Sequence, residues 1–241
     1  MNHAIIERII SYWRSIFFIE PVLDLFLISC FIIGVFYHYK NKERLFFLVY
    51  FFSGIILFVP IKIVFGCQIL TEKQSAILLE IANRVFELAE VIAFYYFFRR
   101  CLLSNGFKRT LRSCFCCLLA IFTTFFIMLA LPGYSIYDIR VHSQFVNVIE
   151  FFFLFGMCLG YYREVFTNIP VKTLFNRPSF LIVTSAFFYS ILMIPFFLIA
   201  SDIRIDELPV HNLLFAYHYI LLIILLFSIL KGFLCKAPIT I

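Results

Sequence analysis

The sequence predicts an all-α integral membrane protein, a seven-helix bundle with its amino terminus outside and its carboxyl terminus in the cytoplasm. Three observations predict it: an excess of apolar residues, seven apolar runs of near-spanning length, and a lopsided distribution of Lys and Arg. The chain has 241 residues, of which 63% are hydrophobic and only 14% charged. Soluble domains carry about 25% charged residues and roughly half apolar ones. No water-soluble fold of this size hides so much apolar surface, so the excess must face lipid. The 35 phenylalanines fit a coding bias toward AT-rich codons and carry no chemistry by themselves.

A helix rises about 1.5 Å per residue and must cross roughly 30 Å of hydrocarbon, so a span needs about 20 apolar residues. Runs at 21–37, 45–65, 77–98, 114–131, 145–162, 179–200 and 212–230 meet or approach that length. Demoting the charged third run would leave six spans. Its ending, Val91-Ile-Ala-Phe-Tyr-Tyr-Phe-Phe98, is too apolar for a loop, and seven is the better count.

Sidedness follows from the short connections. Thirteen Lys and Arg residues follow odd-numbered spans, including Lys40, Arg100, Lys108, Arg112 and Arg163, against six on the opposite side. Positive charge collects in cytoplasmic loops, which places the odd loops inside. The net charge of +6 is thus spread through loops rather than gathered in one basic domain, and nucleic acid is not an expected partner.

The spans and their connections occupy residues 17–231, with a cytoplasmic tail at 232–241. In the amino-terminal segment 1–16, Ile5, Ile6, Ile9, Trp13 and Ile16 recur at helical spacing. They predict either a short helix lying on the outer membrane surface or an extension of the first span beyond Pro21. No small-residue cleavage site follows the first run, so it is expected to remain as a span. The segments 99–113 and 163–178 are the longest expected cytoplasmic connections. Neither has room for a kinase, cyclase or ATPase, so any soluble enzymatic output must come from a partner.

Of the eight cysteines, only Cys67 falls on the expected outer side. The group Cys114-Phe-Cys-Cys117, near Cys101, lacks the paired spacing of metal sites, and reduced thiols are expected. The chain has no G-x-S-x-G, H-E-x-x-H or P-loop motif, each of which would place a nucleophile, a metal or a phosphate. Glu80-x-x-x-Arg84 matches half of a membrane-protease signature whose second glutamate and histidines are missing. No catalytic activity, cofactor or metal is expected.

The polar residues inside the spans are the informative ones. In the third run, Glu80, Arg84 and Glu87 lie within about 60° of one another at 100° per residue, and Glu90 extends the stripe by about 60° more. Asn83 falls inside it. A charge at the centre of a spanning helix costs roughly 2.5–3.5 kcal/mol, so this stripe must face protein or water. Asp24, Glu150 and His218 also fall early in odd spans, and Pro60 and Pro195 fall late in even ones. That places all of them at one outer depth, with the two prolines as hinge candidates and the inner half almost wholly apolar. Five acids (Asp24, Glu80, Glu87, Glu90, Glu150) stand against Arg84, a density that protons, water or a cation must neutralise. The stripe is either a structural ion-pair set or a ligand, proton or ion site in an outward-facing cavity. His218 alone reads more simply as a packing residue.

Three stretches carry a resemblance: Asn83-Arg-Val-Phe-Glu87-Leu-Ala-Glu90 leading into Phe94-Tyr-Tyr-Phe97, then Pro178-Ser-Phe180 with Phe188-Tyr189 and Pro195, and the aromatic seventh span. They resemble a family of small seven-helix membrane proteins of Bacteroidota. Its architecture is similar to the sensor portions of seven-helix bacterial signalling receptors, here without an output domain. Those relatives often have Trp after the span-six Phe, where this chain has Leu181. The family has no assigned activity to carry over; the leading expectation is a bacterial inner-membrane sensor or signalling subunit, with an external small ligand or proton bound at Glu87, Glu90 and Arg84 and a cytoplasmic or membrane partner. A small proton- or cation-coupled transporter or channel, and an accessory subunit with a purely structural polar network, are the alternatives.

Overall fold

The computed structural model describes residues 19–38, 45–66, 72–130, 136–168, 174, 177–200 and 208–234. The segment 1–16, the tail beyond 234, Cys67 and Cys235 lie outside them. Among the described residues the chain is all-helical, with seven long helices and no strand: α1 (Ile19–His38), α2 (Leu45–Gly66), α3 (Glu72–Cys101), α4 (Asn105–Ala130), α5 (Ile136–Asn168), α6 (Pro178–Ala200) and α7 (Leu208–Leu234). Pro21 sits in the first turn of α1, where its missing N–H has no intrahelical role.

Several helices overrun the apolar runs that predicted them. The expected connection 99–113 is helical except at residues 102–104, and 163–168 belongs to α5. Apolarity marks only the part of a helix that meets hydrocarbon, whereas backbone hydrogen bonding continues through polar turns beyond it. Lys108, Arg109 and Arg112 therefore stand on the first turns of α4 rather than in a loop.

Helix directions can be read from which residues meet. Between α2 and α3, Phe46 meets Tyr96 while Tyr50 meets Phe86; between α6 and α7, Ser185 meets Ser228 while Met193 meets His218. Rising numbers on one helix meet falling numbers on the other, as antiparallel packing requires. The same holds for α5 with α6 and for α4 with both α3 and α5. Helices α3 and α5 instead run parallel. Arg84 meets Asn147, Phe98 meets Tyr161 and Leu103 meets Glu164, a separation of 60 to 63 residues throughout.

Neighbour packing closes a ring in the order α1, α2, α3, α5, α6, α7 and back to α1, with α4 outside it against α3 and α5. The ring interior is aromatic, with Phe47, Phe51, Phe94, Phe98 and Tyr161 fully buried. Such ring pairs contribute about 0.5–1.5 kcal/mol each beyond area burial. Gly54 lets α2 approach closely, because a Cβ there would come within 2.9 Å of the Phe86 ring. Phe86 in turn stacks on Tyr50 at 4.8 Å between centroids, which fixes where the Tyr50 hydroxyl can reach.

Polarity is arranged inside out. Phe36, Phe145, Leu25 and Ile127 are 57–79% exposed, while Arg84, Glu90, Asn147, Glu150 and Glu164 are 2–5% exposed. Three helices are long and apolar enough to cross a membrane among the described residues: Asn105–Leu129, Val141–Asn168 and Pro178–Ile199, of 25, 28 and 22 residues. At 1.5 Å per residue each exceeds about 30 Å.

Candidate functional site: a buried acidic cluster around Arg84

The centre of the site is one guanidinium. Arg84 is 2% exposed, and its side chain reaches three helices. Its Nε donates to Glu80 Oε1 at 3.1 Å, one turn earlier on α3. Its Nη1 donates to Asn147 Oδ1 on α5 and forms an ion pair with Glu87 Oε2 at 2.5 Å, off hydrogen-bond alignment. Its Cζ lies 5.6 Å from the Phe125 ring centroid of α4, within cation–π range. Spacings of four and three residues put both glutamates beside Arg84 on one helix face.

Two further carboxylates complete the cluster. Glu90, 5% exposed, accepts a hydrogen bond at Oε2 from the Tyr50 hydroxyl of α2 at 2.9 Å. Glu150 of α5, 3% exposed, interacts electrostatically with Glu87, Glu90 and Arg84. Tyr189 of α6 interacts electrostatically with Glu90, Glu150 and Glu87. Glu90 Oε1 and Glu150 Oε2 are buried without a hydrogen-bond partner. Exposure is graded, since the Glu80 and Glu87 side chains remain 18% and 19% exposed.

The structure thus brings together Glu80, Arg84, Glu87, Glu90 and Glu150 among the sequence-predicted site residues. Asn83 is half-buried and makes no side-chain hydrogen bond among the described residues; Asn147 occupies the amide position beside Arg84 instead. Asp24 is buried on α1. His218 packs in an aromatic box, stacked on Phe196 at 5.8 Å, with its Nδ1 3.4 Å from Met193 Sδ. Pro60 and Pro195 both lie on the exposed surface of continuous helices. There each removes a backbone donor on the outside of the bundle, away from the cluster.

Sequence reasoning missed three participants. Two of them, Ser143 and Asn147, are buried at positions i and i+4 of the α5 face that the predicted Glu150 completes at i+7. That face packs toward α3, and the spacing alone could have shown it.

The third is Glu164, 5% exposed, whose carboxylate accepts the Leu103 N–H at 2.6 Å and the Ser104 N–H at 2.9 Å. It ties the α3–α4 turn to α5 at the start of α4, where unpaired amides attract an anion. The half of the bundle expected to be almost wholly apolar also holds hydroxyl pairs, Tyr161 with Ser179, Tyr162 with Thr184 and Ser185 with Ser228. Hydroxyls at aromatic and small residues hardly disturb an apolar run, so hydropathy passed over them.

No group of three or more His, Cys, Asp or Glu side chains among the described residues has metal-holding geometry. The arrangement can hold protons against its excess of carboxylates. Tyr50→Phe removes the donor to Glu90 while keeping the ring stack. It is expected to lower stability by about 1–3 kcal/mol, the cost of a buried unsatisfied acceptor, measured as a fall in Tm in detergent. An unchanged Tm would mean that Glu90 does not depend on this bond.

No protein-family model, curated protein or solved structure matches this chain.

Proposed function

We propose that this chain is a multi-pass membrane sensor or signalling subunit of a bacterial inner membrane, with seven crossings, N-out and C-in. Its buried acidic cluster responds to an external proton or small ligand and its cytoplasmic ends engage a partner. One observation carries the reading: two carboxylate oxygens, Glu90 Oε1 and Glu150 Oε2, are buried on different helices with no donor. Native interiors satisfy nearly all buried polar atoms. A network serving structure alone would be expected to satisfy these two as well.

The seven-crossing reading is supported by the alternation of helix direction, by exposed Phe and Leu around the bundle and by the charge bias in the connections. Transport is less well supported. Transporters commonly break helices at matched positions beside the site, whereas α2 and α6 run unbroken through Pro60 and Pro195. The hydroxyls of the far half are paired with one another rather than lining a path.

In right-side-out vesicles lacking the native cysteines, Asn83→Cys should react with an impermeant maleimide and Arg109→Cys should not; the reverse pattern overturns the orientation. A step in external pH should then change the labelling rate of Arg109→Cys from the cytoplasmic side several-fold, and Glu87→Gln should abolish that change. A rate indifferent to every external condition would leave the cluster with a structural role only.

A further inference from the structure

Arg84 and Tyr50, the donors that hydrogen-bond within the cluster, are already engaged. Arg84 is engaged by Glu80, Glu87 and Asn147, and the Tyr50 hydroxyl goes to Glu90 Oε2. Tyr189 of α6 interacts electrostatically with Glu90, Glu150 and Glu87, while His218 of α7 is ringed by Tyr189, Phe196 and Phe197 and held to Met193, and Asp24 of α1 is buried. Glu90 Oε1 and Glu150 Oε2 remain without a donor, on side chains 5% and 3% exposed. They sit on adjacent parallel helices and interact electrostatically.

Protonation would supply the donor that these two oxygens lack. An ionised carboxylate only accepts, whereas a protonated one also donates. A proton on either group makes it a donor as well as an acceptor and removes one negative charge from the interior. Two carboxyl groups sharing a site behave in this way because both cannot ionise together. A hard metal ion would need six or more oxygen ligands for calcium, or an octahedral set for magnesium.

We propose that Glu90 and Glu150 form a proton-binding pair, with one exchangeable proton bridging Glu90 Oε1 and Glu150 Oε2 and reaching them by way of Glu80 and Glu87. The proposal rests on the sensing reading and names its ligand as the proton. Glu80 and Glu87, partly exposed, take the proton from water and pass it inward; only O–H bonds form and break, and the cluster gains one positive charge per proton. Axially, Glu80 to Glu90 covers about 15 Å at 1.5 Å per residue.

The test is infrared spectroscopy of the full chain in lipid. Wild-type protein near neutral pH should show the C=O stretch of a buried protonated carboxyl, lost on alkalinisation and shifted in D2O. Glu90→Gln and Glu150→Gln should each abolish it, Tyr50→Phe should shift it, and Glu164→Gln, outside the cluster, should leave it in place. A wild-type protein without such a band, or a band that survives both Glu90→Gln and Glu150→Gln, overturns the proposal. The wild-type measurement stands even if a variant fails to fold. A band that behaves as expected beside an Arg109→Cys labelling rate blind to external conditions supports the proton pair and sinks the sensing reading alone.

Discussion

Arg84→Met lowers stability by about 3–5 kcal/mol, the range for removing one partner of a buried charge network. The magnitude follows from what is left behind. Glu80 and Glu87 lose their cation and Asn147 loses its donor, while Glu90 and Glu150 remain within a few residues. Four acids without a guanidinium form an uncompensated site in a low-dielectric interior. Arg84→Lys should recover only part of the loss, because a point charge cannot address three acceptors on two helices with a fixed fork. Combining Arg84→Met with Glu87→Gln should be milder than the sum of the singles by about 0.5–3 kcal/mol, the coupling expected of residues in contact. Thermal unfolding in detergent, followed by intrinsic fluorescence, measures all three. An Arg84→Met protein as stable as wild type would show that the cluster neutralises itself by protonation alone.

Glu164→Gln is the second large effect, expected at about 1.5–3 kcal/mol from loss of hydrogen bonds to a charged acceptor. The carboxylate spans two consecutive amides, Leu103 and Ser104. An amide side chain offers one acceptor and turns its NH2 group toward the other N–H. The carboxylate also faces the positive end of the α4 backbone dipole, which a neutral amide does not exploit. Hydrogen exchange should quicken at Leu103 and Ser104 and across the first turn of α4, with the Arg84 region unaffected. Uniform quickening through the bundle would instead indicate that Glu164 supports global folding rather than this turn.

The helices were legible because apolar runs of spanning length leave no other option, and the α3 stripe was legible because 100° per residue is fixed geometry. What could not be read lay between elements. Direct pairing of α3 with α5, skipping α4, has no signature along the chain, so Asn147 could not be assigned to Arg84. Glu164 sits beside Arg163 in a stretch that looked like a polar connection. Nothing in hydropathy distinguishes a solvated glutamate from one holding two amides. His218 shared a depth with the acids but not a direction, and depth was all the sequence offered. Pro60 and Pro195 show the same limit, placed at the expected level yet turned to the outside.

The spacing of Glu80 and Glu87 around Arg84 bears on biogenesis. On the proposed seven-crossing topology, Asn147 and Glu150 are synthesised some sixty residues after Arg84, so α3 would enter the bilayer before α5 exists. Its guanidinium already carries carboxylates one turn to either side, and the helix can leave the translocon with that charge compensated on its own surface. Assembly then exchanges a private arrangement for a shared one, as α5 arrives and takes up the Nη1 donor.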